Sequence, residues 1–142
     1  MNRIIYSNSE GGVSIIIPVP ECGLTIEEIA AKDVPQGAAF EIVTTADIPG
    51  DRTFRNAWIK GNGRVEIDMP KAQEIAHEKR RAARAEEFKP HDEIIMKQIP
   101  GANAQQAEAA RQVIRDKYAA LQAQMDAAQT PEELKTLVQA LQ

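Results

Sequence analysis

Two histidines, His77 and His91, and one cysteine, Cys22, are the side chains of this 142-residue sequence best suited to proton transfer, metal ligation or nucleophilic attack near neutral pH. Glu74 and His77 form a Glu-x-x-His step, which places both on one face of a helix. Dinuclear carboxylate sites use that step twice, and here it occurs once. It reads as a solvent-facing histidine beside a salt-bridging glutamate. His91 follows Pro90 and precedes Asp92-Glu93, and reads as a helix-start residue. Cys22-Gly23 lies in a loop with no neighbouring motif to activate the thiol, and a single cysteine closes no intramolecular disulfide. The sequence has no Gly-x-x-x-x-Gly-Lys phosphate loop, no Gly-x-Gly-x-x-Gly after a strand, no Gly-x-Ser-x-Gly elbow and no Cys-x-x-Cys. These observations predict a protein that is not an enzyme and uses no metal, no cofactor and no small-molecule substrate.

Lys79, Arg80, Arg81 and Arg84 form the one basic cluster. On a helix the three arginines share a broad face able to meet phosphates. Glu74, Glu78, Glu86 and Glu87 flank the cluster at helical neighbour spacings, so pairing within a solvated face is expected. No aromatic is interleaved to stack on bases. With 17 basic and 21 acidic residues the net charge is -4, which excludes a chain whose whole surface is a nucleic-acid or membrane footprint. No apolar run is long enough to suggest a membrane span, and the first residues lack the apolar core and cleavage site of a signal peptide. Synthesis in a reducing cytosol is the expectation.

The elements that would carry these residues change character near Pro70. Residues 1–69 hold seven of the eight glycines and four of the six aromatics, whereas sixteen of the 22 alanines lie after Pro70. Arg3-Ile4-Ile5-Tyr6 and Val13-Ser14-Ile15-Ile16-Ile17 are β-branched runs that predict a hairpin across the polar stretch between them, stopped by Pro18 and Pro20. Thr25, with Glu28 three residues on, predicts a capped short helix. Phe40-Glu41-Ile42-Val43-Thr44 alternates as a third strand. Two further short strands are expected around Gly61-Asn62-Gly63, and Arg52 to Asn56 as a turn or single helical turn with Phe54 and Trp58 facing the core.

After Pro70 the pattern is helical. A first helix is expected over residues 70 to 88, its narrow stripe built from Ala72, Ile75, Ala76, Ala82, Ala83 and Ala85, with Pro90 kinking or breaking it before further turns to Gln98. Pro100-Gly101 then reverses the chain. Residues 104 to 127 give the strongest helix, apolar at 107, 110, 114, 118, 121 and 125, a stripe suited to an antiparallel hairpin with the first. Thr130-Pro131-Glu132-Glu133 starts a short amphipathic helix that must dock on the hairpin or on another subunit. The predicted fold is therefore α+β, with a small antiparallel β-rich domain over residues 1–69 and an alanine-rich helical hairpin plus C-terminal helix over residues 70–142.

Val34-Pro35-Gln36-Gly37 through Phe40-Glu41-Ile42-Val43, and the string Ile48-Pro49-Gly50-Asp51-Arg52-Thr53-Phe54-Arg55-Asn56-Ala57-Trp58, resemble small proteins encoded in the tail-gene regions of tailed bacteriophages and prophages. The segment from Val65 to Ala72 leading into Arg80–Arg84, and that from Ala127 to Lys135, are similar to the middle and end of the same family. The resemblance implies a non-enzymatic phage protein, a tail-assembly accessory or minor structural component. Its partner would be another phage protein or a second copy of itself, and its place the host cytoplasm during assembly or the virion. It brings no catalytic residues. On this reading Asp51, Arg52, Phe54, Arg55 and Trp58 form a partner-binding surface. Read from the residues alone, the same string is a packed corner in which Asp51 caps and Arg52 or Arg55 pairs with it. A regulator that meets nucleic acid through Lys79, Arg80, Arg81 and Arg84 is the alternative.

Overall fold

The β-branched runs pair as antiparallel strands, β1 (Asn2–Ser7) with β2 (Val13–Ile16), in register Ile5 to Ile15. The computed structural model describes residues 1–98 and 100–141, and the chain divides between Asp68 and Met69 into two compact units. In the first unit Asn8 orders the hairpin loop, its Oδ1 accepting from the amides of Glu10 at 3.1 Å and Gly12 at 2.9 Å. Strand β3 (Phe40–Thr44) pairs on the other side of β1, giving the order β2-β1-β3.

β1 is central and buried on both faces, which is why its apolar residues are consecutive instead of alternating. Ile5 joins Val13 and Val43 on one face, where Trp58 and Val65 pack over them. Ile4 points the other way, onto Ile29 and Ala30 of helix α1 (Ile26–Asp33). The capping box that starts α1 is present in full: the Glu28 amide donates to Thr25 Oγ1 at 3.1 Å and the Thr25 amide to Glu28 Oε2 at 2.7 Å.

Strands β4 (Trp58–Lys60) and β5 (Val65–Ile67) form the second hairpin. Of the Gly-Asn-Gly triplet in its turn, only Gly63 needs the left-handed region, at φ 75°. The Gly63 amide donates to Glu41 Oε2 at 2.9 Å and Lys60 Nζ lies 3.0 Å from the same oxygen, pinning the hairpin to β3. Those two donors, the amide first, hold the Glu41 carboxyl below the usual carboxylate range.

The second unit is helical. Helix α2 spans Met69–Lys97 without interruption, so of the kink or break expected at Pro90 the break does not occur, and the further turns expected after it belong to the same helix. Proline there deprives the carbonyl of Glu86 of its helical donor. Helix α3 (Ala104–Ala127) holds α2 on both sides of that point: Lys117 Nζ meets Glu87 at 2.7 Å before it, and Arg111 Nε meets Asp92 at 3.0 Å after it. Tertiary ties thus carry the helix across its own breaker. The partners fall in number along α3 as they rise along α2, the signature of an antiparallel hairpin.

Asn103 caps α3, its Oδ1 accepting from the amides of Gln105 at 2.8 Å and Gln106 at 3.1 Å. Ala107, Ile114, Tyr118 and Met125 are buried, on the stripe read from the sequence. On α2 the buried residues are Ala72, Ala76 and Arg80, whereas Ala82 and Ala85 are exposed. Helix α4 (Pro131–Gln139) starts on Thr130, whose Oγ1 accepts from the Glu133 amide at 3.2 Å, and it docks on α2 and α3 through Leu134 and Val138.

Candidate functional site

The string from Asp51 to Trp58 is a run of tight turns. Asp51 Oδ1 accepts from the Thr53 amide at 2.7 Å, the Arg55 amide donates to the Arg52 carbonyl at 3.0 Å, and the Ala57 amide to the Phe54 carbonyl at 2.8 Å. This winding separates the five residues that the sequence grouped. Phe54 and Trp58 are buried, at 3% and 2% exposure, so neither presents its side chain to a partner. They belong to the core because the turns aim them at it, which corrects their place in the expected binding surface. Asp51 and Arg52 are exposed and Arg55 is half-buried.

Neither arginine pairs with Asp51. Arg55 lies over the Trp58 ring, 4.7 Å from its centroid, and Arg52 lies 5.8 Å from it. Each such cation–π contact contributes about 0.5–2 kcal/mol, more where water is excluded. Arg55 Nη2 also donates to the Val13 carbonyl at 3.4 Å. The Trp58 Nε1–H has no acceptor among the described residues, so packing and the guanidinium contacts hold the ring.

Around these side chains lies a cleft of about 310 Å³. Its apolar wall includes Ile15, Ile17, Ile48 and Pro49, and its rim carries Arg3, Arg52 and Arg55. Sequence reasoning missed Arg3. Strand alternation held the signal, because Arg3 and Ile5 are two residues apart and share the face on which Trp58 packs. The three arginines are half of the six basic residues in the first unit, which also has ten acidic ones. None of the three forms an ion pair among the described residues.

The basic cluster on α2 does not form one solvated face. Arg80 is buried at 8% exposure and Arg84 stacks on Phe88 at 4.7 Å, which leaves Lys79 and Arg81 exposed. Arg80 sits four residues after Ala76, which is four after Ala72, so the helical period sends it inward. Burial first, then Arg81 and Arg84, push its pKa below the usual arginine value, while Asp126 opposes them. The pairing expected with the flanking glutamates is also absent: none of the four cations forms an ion pair among the described residues.

His77 is not the solvent-facing partner of Glu74. Arg80 Nε donates to His77 Nδ1 at 3.3 Å, so the ring proton belongs on Nε2, which donates to Asp126 Oδ1 at 2.8 Å. The three groups link α2 to α3. His91 lies within α2, past its middle, and not at a helix start. Cys22 is exposed and free. Among the described residues no group of three or more His, Cys, Asp or Glu side chains could hold a metal ion, and no helix is long and apolar enough to cross a membrane.

Compared with known proteins, the chain matches no family model, no curated protein and no solved structure.

Proposed function

We propose that the protein is a non-catalytic binding protein of a tailed phage or prophage, a tail-assembly accessory or minor structural component that acts through protein–protein contacts. The arginine-rimmed cleft supports this reading. It sets arginine, a side chain enriched where interfaces concentrate their binding energy, beside a wall of aliphatic residues. Three arginines and no carboxylate line it, a charge pattern that an acidic partner would complement. The phage context rests on the resemblance of the strings from Val34 to Val43 and from Ile48 to Trp58. The nucleic-acid alternative has less behind it, since Arg80 is buried and Arg84 is stacked on Phe88.

Mass spectrometry of purified particles and of the lysate, from an induced host that carries the gene, tests the proposal. Peptides of this chain at a stoichiometric level in particles would make it a structural component. Detection only in the lysate, bound to another phage protein and released by Arg52→Gln with Arg55→Gln, would make it an assembly accessory. A chain absent from particles, monomeric and bound to no phage protein overturns the reading.

A further inference from the structure

The cleft over Trp58 is small, at the low end of the range of ligand pockets, and too small for a dinucleotide or a flavin. It has room for one or two side chains. Its wall is aliphatic, so the group it accepts must have an apolar body. Its rim offers cations only in the form of guanidinium groups, whose planar donor forks match a carboxylate with two parallel hydrogen bonds. Nucleobases fit it poorly, because base stacking needs an open aromatic face. Arg55 and Arg52 already lie over the Trp58 ring, and the ring itself is buried.

The charge distribution makes the same point. The first unit is acidic overall, yet half of its basic residues line this one cleft. Arg55 is held in place by the indole and by the Val13 carbonyl, so its fork is ordered before any partner arrives. Arg3 is carried on β1, the central strand, and Arg52 on the turn after Pro49. Cations around an apolar floor, one of them held in place, suit a short polypeptide motif in which an apolar side chain neighbours a carboxylate.

We infer that this cleft docks an acidic segment of a partner protein, an Asp or Glu beside a Leu, Ile or similar residue, with the apolar side chain seated on Ile15, Ile48 and Pro49 and the carboxylate held by Arg52, Arg55 and Arg3. The inference rests on the reading of the protein as a binding protein, and it names the chemistry of the partner.

Trp58 is the only tryptophan of the chain and lines this cleft, so its fluorescence responds when the cleft is filled under folding conditions. The full chain is titrated with a blocked peptide of alternating Asp and Leu, with the same peptide carrying Asn for Asp, with isovalerate, and with oligothymidylate. A saturable change with the acidic peptide is expected, weaker by about tenfold or more for the Asn peptide and for Arg52→Gln with Arg55→Gln. Arg64→Gln, which removes a cation outside the cleft, should leave the titration unchanged. If the double variant fails to fold, Arg52→Glu on the exposed residue gives the same comparison. Equal binding by the Asn peptide, equal loss in Arg64→Gln, or no saturable change overturns the inference. Isovalerate binding as tightly as the peptide would make the cleft a site for a small acid, and preference for oligothymidylate a nucleic-acid site; each also overturns it. The function reading fails separately: peptide binding by a chain that associates with no phage protein sinks that reading alone. Loss of a phage partner in the double variant without peptide binding sinks only the inference.

Discussion

The two units of this chain are nearly equal in length and are built on opposite plans. The first wraps large β-branched and aromatic side chains around a central strand, and Ile4 and Ile5 are fully buried on its two faces. The second brings alanine helices close together, with Ala72 and Ala76 fully buried, and ties them with polar pairs such as His77–Asp126 and Glu87–Lys117. Each unit carries a cleft, but the one in the second unit, against Ala127, Ala128 and Leu137, is lined by no arginine or lysine. The cleft that gathers three arginines lies in the first unit. Cross-helix polar ties such as these join α2 to α3 in the second unit.

Deleting one deep side chain in each unit separates the two plans most clearly. Ile5→Ala should cost about 2–5 kcal/mol in urea unfolding followed by Trp58 fluorescence, through lost burial and the cavity left behind. Ala76→Gly, at an equally buried position in α2, should cost about 1 kcal/mol, set by helix propensity. Similar costs for the two would dissolve the contrast.

Pro90→Ala tests the claim that α3 holds α2 across its breaker. The restored amide should stabilise the chain by about 1–3 kcal/mol, read from the helical circular dichroism signal on denaturation. No gain would mean that the Glu86 carbonyl is already satisfied. Thr130→Ala removes the oxygen that accepts from the Glu133 amide and should cost about 1 kcal/mol in the same measurement. A loss below a few tenths would show that docking of Leu134 and Val138, not the cap, fixes α4.

The smallest expected effect concerns pH. The Lys117 ammonium holds the Glu87 carboxyl below its ordinary value. A depressed folded-state pKa contributes stability that is present above the unfolded value, near pH 4, and is lost as the pH falls through the lowered one. Glu87→Gln should therefore flatten the acid side of the helical unfolding profile slightly, since the pair is partly exposed. A steeper acid loss in the variant would contradict the assignment.

Local signals were easily read from the sequence. The Thr25–Glu28 box, the strand alternation from Phe40 to Thr44, the turn at Gly63 and the ends of α3 each depend on residues close together in the chain. What stayed hidden depends on distance. The continuity of α2 through Pro90 needs Lys117 and Arg111, and the orientation of His77 needs Asp126, partners that no local pattern announces. The cleft was legible only in part. Arg52, Arg55 and Trp58 stand together in the sequence, but Arg3 joins them only because β1 lies under the Trp58 face. The burial of Arg80 was readable from its four-residue steps after Ala72 and Ala76, but its charge argued for solvent and masked the period.

The central place of β1 also bears on how the chain is made. One edge of β1 finds its partner in β2 almost at once, but the other waits for β3, some forty residues further along. At ordinary translation rates that interval lasts about 2–8 s. Through it the nascent chain carries a strand with an unpaired edge and two isoleucines that no second layer yet covers. Ribosome-bound chaperones that recognise short aliphatic stretches would meet Ile4 and Ile5 in that window, and a synonymous codon change that slows elongation between β2 and β3 would lengthen it.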